Sequence, residues 1–346
     1  MITSLKELQQ HLNLTEKELA WFEKKGSFLP FAVSPYYLSL IDPHDPLDPL
    51  RIQVIPSIDE QHIQDFDQTD PLAEENHEVY PRLIHRYANR VAFLVTDVCA
   101  TYCRHCFRRR FTATEHSKAT KEEIEQVASY VKEHPQVIEM LLTGGDPLML
   151  SDSYLDTLIG TIRAQRSELV LRLCTRMPAV YPERVTAELI QMLKKHTTTA
   201  MYVMTQFNHP RELTEASMQA TNMFVDAGFP LLNQTVLLKG VNDNPDTLEA
   251  LMNGLVAHRI KPYYLFQGDL VGGTSHLRVP LATGFALEKE LRRRLSGLAM
   301  PQYAVDLPFG GGKVPLSSSY VKGQNEDGQW VFKTLEGQKR IYADPQ

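Results

Sequence analysis

The chain is 346 residues long, which at about 150 residues per domain leaves room for two domains or for one α/β barrel with appendages. With 42 acidic against 36 basic residues and a net charge of -6, it lacks the basic excess of a general nucleic-acid binder. No apolar run approaches the ~18 residues of a membrane span, and MITSLKELQQHL has no signal-peptide core, so a cytoplasmic protein without membrane or nucleic-acid partners is expected.

Taken in chain order, Leu5 to Lys25 reads as one or two short helices, with Leu5, Leu8, Leu12 and Leu14 followed by Leu19, Trp21 and Phe22. The stretch IDPHDPLDPL comes next, and its prolines disfavour long regular elements. This first segment is expected to wrap around the rest of the chain. From about residue 91 short apolar runs alternate with helical patterns: VAFLVTDV at 91–98, IEMLLT at 138–143, LVLRLCT at 169–175, AMYVMT at 200–205, PLLNQTVLL at 230–238 and PYYLF at 262–266. Thr120 and Glu123 form a capping box ahead of Ile124, Val127 and Val131. Helical stripes follow at Leu155–Leu158–Ile159–Ile162, at Leu189–Leu193, less regularly at Met218–Val225, and at Leu287–Leu291–Leu295. Asn244–Pro245 is an N-cap with proline at the first helical position, before Leu248, Leu251 and Leu255.

Strands alternating with helices point to an α/β fold of parallel βαβ units. Periodicity does not separate an open sheet from a barrel. The placement of polar residues favours a barrel, because they follow the strands: three cysteines after the first, Gly144–Gly145–Asp146 after the second, Arg176 after the third, Gln206, Asn208 and His209 after the fourth, Lys239 after the fifth, Gln267 and Asp269 after the sixth. All would stand at the C-terminal rim, where α/β barrels build active sites.

Four cysteines are too few for a disulfide scaffold in a chain of this length, and three of them, Cys99, Cys103 and Cys106, lie within eight positions. Three thiolates on a tight loop suit three irons of a [4Fe–4S] cluster, leaving the fourth iron for an outside ligand. The spacing alone also admits a zinc site completed by a distant histidine. Cys174 reads as a strand residue. Gly310–Gly311–Gly312–Lys313 lacks the helix start of a nucleotide-binding phosphate loop, since Val314–Pro315 follows. It reads either as an exposed turn or as flexible backbone presenting a lysine for Schiff-base chemistry.

The ordered set CxxxCxxC, GGDPL, FNHP, LLNQTVLLKGVND, PYYL and DxPxGGGKxP resembles the lysine 2,3-aminomutase family over about residues 65–345. That resemblance implies a partial (β/α)6 radical S-adenosylmethionine barrel using a [4Fe–4S] cluster, S-adenosylmethionine and pyridoxal 5′-phosphate. It also implies three parts: an N-terminal wrapping segment at 1–84, the barrel at 85–300, and the pyridoxal-lysine loop with the C-terminal segment at 301–346. Cys99, Cys103 and Cys106 would hold the cluster. Lys313 would carry the pyridoxal phosphate, with Arg86 and Arg90 on its phosphate. Gly144, Gly145, Asp146, Arg176 and Gln234 would neighbour S-adenosylmethionine, with Asp146 where a glutamate is usual. Arg108 would take the substrate α-carboxylate, and Asp269 and Asp306 the distal ammonium of L-lysine.

The implied reaction is a radical 1,2-amino migration giving β-lysine, with a one-electron donor such as flavodoxin or ferredoxin. A branch of the family that makes (R)-β-lysine for elongation factor P is the nearest alternative, and a non-catalytic iron–sulfur protein is the remote one. The larger relatives' zinc cysteines have no counterpart, so no structural zinc is expected, and a homo-oligomer remains compatible. Gln206 stands where histidine is common, and Phe309 interrupts a run that is usually all glycine.

Overall fold

The computed structural model describes residues 1–24, 29–115 and 117–342. Its centre is a ten-stranded sheet whose spatial order follows the chain: β1 (Glu78–Tyr80), β2 (Leu83–Tyr87), β3 (Arg90–Thr96), β4 (Glu139–Gly144), β5 (Val170–Cys174), β6 (Met201–Thr205), β7 (Leu231–Val236), β8 (Ile260–Phe266), β9 (Gln302–Leu307) and β10 (Gly312–Pro315). From β3 to β9 every neighbouring pair is parallel, and β1, β2 and β10 add antiparallel edges. The sheet curls until its ends meet: the Lys313 backbone N–H on β10 donates to Tyr87 Oη on β2 at 3.2 Å. This is the partial barrel expected from the sequence.

Alternation explains which face is which. Val91, Phe93 and Val95 of β3, Met140 and Leu142 of β4, Leu171 and Leu173 of β5, and Val203 of β6 are buried and belong to one apolar cluster with the covering helices. Those helices start where the sequence marks them. Thr120 and Glu123 cap Lys121–Glu133 reciprocally, and Asn244 caps Pro245–Ala257 with Pro245 at its first position. The opposite face, with Arg172, Cys174, Gln234, Tyr264 and Phe266, is only partly buried and lines the lumen.

The N-terminal helices are Leu5–Leu8 and Glu16–Glu23; Lys25, at the end of the expected span, lies outside the described residues. Ahead of β1 the chain also forms two short helices, Pro35–Ser39 and Pro49–Val54, each with a proline in its first turn. Tyr37, Leu50 and Val54 from this segment are fully buried in the same core. A charge pair ties it internally as well, with Arg51 donating to Glu18 at 2.7 Å. Beyond β10, a small antiparallel sheet of β11 (Val321–Gln324), β12 (Trp330–Lys333) and β13 (Lys339–Tyr342) closes the described chain.

Candidate active site

The cysteine loop leaves β3 after Thr96 and is clamped by the N-terminal segment. Tyr102 N–H donates to Ala32 O at 3.0 Å and Arg104 N–H to Gln53 O at 2.8 Å. The Arg104 side chain is fully buried between cysteines. It donates to Leu29 O, Pro30 O and both oxygens of Glu60, at 2.6 and 2.7 Å for the carboxylate. A second cation, Arg109, reaches Glu60 at 2.8 Å. Burial pushes the Glu60 carboxyl up, but Arg104 and Arg109 override it and hold the group below its usual range. The loop's shape is thus set by groups that are not cysteines.

The three thiols are partly buried and not disulfide-bonded, and Leu29, Ala32, Tyr102 and Ala113 pack around Cys99 and Cys106. Burial raises Cys99 well above its usual range, and Asp146 and the other two cysteines raise it further; Cys106 is raised by burial and by Cys103. Such mutual opposition is what a cationic centre ligated by all three would relieve. Among the described residues no His, Cys, Asp or Glu trio converges on a single metal-ion position. Thiolates that each take a different iron do not need to converge on one. The donor set, three thiols on one loop, fits a cluster.

Gly144 and Gly145 are glycines for a reason the sequence reading does not contain. Gly144 has φ +116°, and a Cβ there would stand 2.4 Å from Thr96 O; one on Gly145 would stand 2.4 Å from Val98 O. Both pack on the backbone that leads into Cys99, and Asp146 N–H continues this contact by donating to Val98 O at 2.9 Å. The Asp146 carboxylate accepts from Thr175 Oγ1 at 2.8 Å and Arg176 N–H at 2.8 Å, so it braces the loops after β4 and β5. Arg176 donates to Cys103 Sγ at 2.7 Å, Gln53 Oε1 at 2.7 Å and Glu212 Oε1 at 2.8 Å. Burial opposes its charge, but Cys103, Tyr37 and Glu212 more than reverse that. Gln234 faces the lumen in register with Tyr264.

On the far wall Lys313 and Asp306 are direct partners across β9 and β10, and the Lys313 ammonium donates to Asp306 Oδ2. Its Nζ lies 3.9 Å from the centre of the Phe266 ring and 5.1 Å from that of Tyr264. Arg86 lies beside Gly312: a Cβ on that glycine would stand 3.9 Å from Arg86 Nη2. That same nitrogen is buried without a hydrogen-bond partner. An orphaned guanidinium N–H beside the lysine strand fits a phosphate. Arg90 stacks on Tyr87 at 3.9 Å from the ring centre.

Asp269 follows β8 and feels Asp306, Lys313, Glu74 and Arg108 together. Burial first, then Asp306, push its carboxyl up to about 7. Arg108 donates to Glu74 and, through Nη1, to Thr143 Oγ1 at 3.0 Å. Arg108, Asp269, Asp306 and Lys313 therefore share one region of the lumen.

Of the other rim residues, Asn208 is a buried brace donating to Gln53, Gln267 is held by Tyr303 and Val279, and Lys239 is exposed. Cys174 lines the lumen near Arg108 and Asp146, its thiol pushed up to about 11 mainly by burial. The sequence reading passed over Glu60, Glu74, Tyr87, Thr143, Glu212 and the Tyr264–Phe266 pair. Period-two parity would have found Arg172 and Cys174, which alternate with the buried Leu171 and Leu173. The carboxylates have no such period: Glu74 lies in irregular chain, and Glu60 and Glu212 lie in single 3₁₀ turns, where the one local cue is the capping box that Glu212 closes with His209.

Comparison with known proteins shows the family. The Radical SAM superfamily model matches residues 93–251, and the lysine-2,3-aminomutase model matches 288–346. L-lysine 2,3-aminomutase of Clostridium subterminale is 41% identical over 344 residues, 99% of this chain and 82% of that protein. The Bacillus subtilis (strain 168) enzyme of the same name is 37% identical over 345 residues, 100% of this chain and 73% of its own length. Glutamate 2,3-aminomutase of Clostridioides difficile (strain 630) is 38% identical over 339 residues, 97% of this chain and 79% of its own. The chain belongs to the lysine 2,3-aminomutase family, isomerases of the radical S-adenosylmethionine superfamily that use a [4Fe–4S] cluster, S-adenosylmethionine and pyridoxal phosphate.

Proposed function

We propose that this chain converts L-lysine to β-lysine by moving its α-amino group to the neighbouring carbon. The observation that carries the choice of substrate is the charge at the Lys313 wall. Asp269 and Asp306 face one another's charge with Lys313 as their shared cation. A second substrate carboxylate, as in glutamate, would enter against two like charges, whereas a distal ammonium answers them. In this structure the Lys313 ammonium sits on Asp306 where the substrate's ammonium would bind.

When bound, the cluster and S-adenosylmethionine supply a hydrogen-abstracting radical, and pyridoxal phosphate supplies the carbonyl and ring that carry the migrating amine. Cys99, Cys103 and Cys106 hold the cluster, and Arg176 donates to the Cys103 sulfur. Gly144, Gly145 and Asp146 shape the rim beside it, where S-adenosylmethionine is expected against Arg176 and Gln234. Lys313 carries the pyridoxal, flanked by Tyr264 and Phe266, with Arg86 and Arg90 toward its phosphate. Commitment of Lys313 to that role removes the cation from Asp306 and readies the aspartate pair for substrate. Arg108 takes the α-carboxylate, so the amino acid is fixed at both ends and one Cβ hydrogen is held in place for abstraction. The remaining requirement is a one-electron donor of the flavodoxin or ferredoxin kind, as a cytoplasmic enzyme would meet. A homo-oligomer is compatible with this reading.

Anaerobic reconstitution with lysine, S-adenosylmethionine and a reductant, followed by chiral analysis, should yield β-lysine and show which enantiomer forms. Turnover of glutamate in place of lysine would refute the substrate assignment. Lys313→Ala should lose the absorbance of lysine-bound pyridoxal along with all activity; retained absorbance would remove Lys313 from its role.

A further inference from the structure

Arg108 is not a free cation waiting in the lumen. Its Nε–H lies 3.0 Å from each oxygen of Glu74, and its Nη2 donates to Glu74 Oε1 at 2.7 Å. Thr143 Oγ1 accepts from Nη1 at 3.0 Å. Glu74 is only 5% exposed and comes from the irregular segment ahead of β1, far from Arg108 in sequence. Behind it Arg110 lies 3.8 Å away and is itself tied to Asp70 at 3.3 Å and Glu75 at 2.9 Å.

A guanidinium has five N–H donors. Glu74 grips the side of the fork through Nε and Nη2, and Thr143 takes one donor of Nη1. One N–H therefore remains on each terminal nitrogen, and because Glu74 takes the Nε side, the one on Nη2 points off the end of the fork, where a carboxylate can be met. The alternative is that Glu74 stands in for the substrate and is pushed aside when it binds. Displacement would leave a buried carboxylate with only Arg110 at 3.8 Å, and an unpaired buried charge is costly.

We infer that Glu74 is a positioning residue, which holds Arg108 from the side and presents the end of its guanidinium to the α-carboxylate of the amino-acid substrate. The inference rests on the reading of Arg108 given above and extends it. It also gives the N-terminal segment a part in substrate recognition.

The test uses the pyridoxal-loaded protein without S-adenosylmethionine, so that binding is read from cofactor absorbance rather than turnover. L-Lysine and 1,5-diaminopentane, which lacks the carboxylate, are titrated into wild type, Glu74→Ala and Glu74→Gln. Losing the grip in Glu74→Ala should raise the lysine midpoint about tenfold or more. Glu74→Gln keeps one acceptor and should show a smaller rise, which preserves the test if the alanine variant does not fold. The diaminopentane midpoint should stay within about twofold of wild type, because Arg108 makes no contact with that ligand.

A lower lysine midpoint in either variant would mean that substrate displaces Glu74. Equal shifts for both ligands would mean a general structural effect. An unchanged lysine midpoint, with wild type still preferring lysine, would remove Glu74 alone from the site. A wild type that binds both ligands equally would remove the carboxylate role of Arg108 and this inference with it.

Discussion

Around the cysteine loop, buried charges are answered from within the protein: Arg104 and Arg109 share Glu60, and Arg176 pairs with Glu212. Across the lumen, Asp269 and Asp306 share Lys313, and Arg86 keeps an unpartnered buried nitrogen. In the first region each of these buried charges has a counter-charge, although Arg109 Nε, Arg176 Nε and His105 Nδ1 lack hydrogen-bond partners there; in the second, two carboxylates share one cation and Arg86 has no ion pair among the described residues. Both are built on the same barrel, so the difference does not come from the fold. It marks which side chains brace the site and which wait for a ligand. A buried group that is fully hydrogen-bonded, such as the Asp146 carboxylate, stiffens a loop. Arg86, which has neither an ion pair among the described residues nor a partner for Nη2, retains the capacity to bind.

The first region should be the more costly to break. Glu60→Gln leaves Arg104 and Arg109 without a counter-charge in a place where Arg104 is wholly buried. Breaking a buried pair from one side costs about 3 kcal/mol or more. Denaturant unfolding at neutral pH should show a loss of that size, and the reconstituted protein should hold less iron per chain. A loss under about 1 kcal/mol, within the range of an exposed ion pair, would show that the loop does not depend on this carboxylate.

A change in the second region should mainly affect ligand binding. With its carboxyl pushed up to about 7 in the free protein, Asp269 is largely protonated below that pH and cannot answer an ammonium. Lysine binding should therefore strengthen as pH rises from 6 to 8, then level off. Asp269→Asn should remove that rise and weaken lysine binding about tenfold at pH 8, measured by cofactor absorbance. The sign for stability is opposite. The carboxyl is harder to ionise when folded, so its contribution is full below the ordinary value of 3.8 and is lost as pH rises through about 7. Asp269→Asn should thus stabilise the ligand-free protein at pH 8 and leave it unchanged at pH 3.5. A flat lysine profile in wild type would break the claim that this wall is short of positive charge.

The same division runs through what could be read from the sequence. The parallel strands β3 to β8 were legible because apolar runs of strand length alternate with capped helical stripes. The cysteines and Lys313 were legible because short motifs carry them. Strands β1, β2, β9 and β10 were not: RLIHRYANR and QYAVDL are short, mix charge with apolar residues, and lie beside glycine or proline. Their places depend on a sheet that must already exist. Placing Gly144–Gly145 beside S-adenosylmethionine gave no sign of their packing on the backbone leading into Cys99. The braces Glu60, Glu74 and Glu212 were illegible for a related reason. A glutamate in irregular chain or in a single 3₁₀ turn has no period, and only the folded backbone shows which arginine it meets.

The smallest effect should come from Phe309, in the turn between β9 and β10. Its φ is +57° and it is 75% exposed, while Gly310 and Gly312 in the same turn also have positive φ. A left-handed conformation costs a residue with a Cβ about 1–2 kcal/mol. Glycine removes that strain but loses about 0.5–1 kcal/mol more in backbone entropy on folding. The two terms nearly offset, and Phe309→Gly should gain about 0.5 kcal/mol, a rise in Tm of about 0.5–1 °C in a chain of this size. Because the ring is exposed, little packing is lost to set against the gain. A fall in Tm would mean that the ring contributes more than its exposure implies. A stabilised variant with unchanged lysine binding would place the strain in the turn alone, and would separate the backbone that carries Lys313 from the charges that surround it.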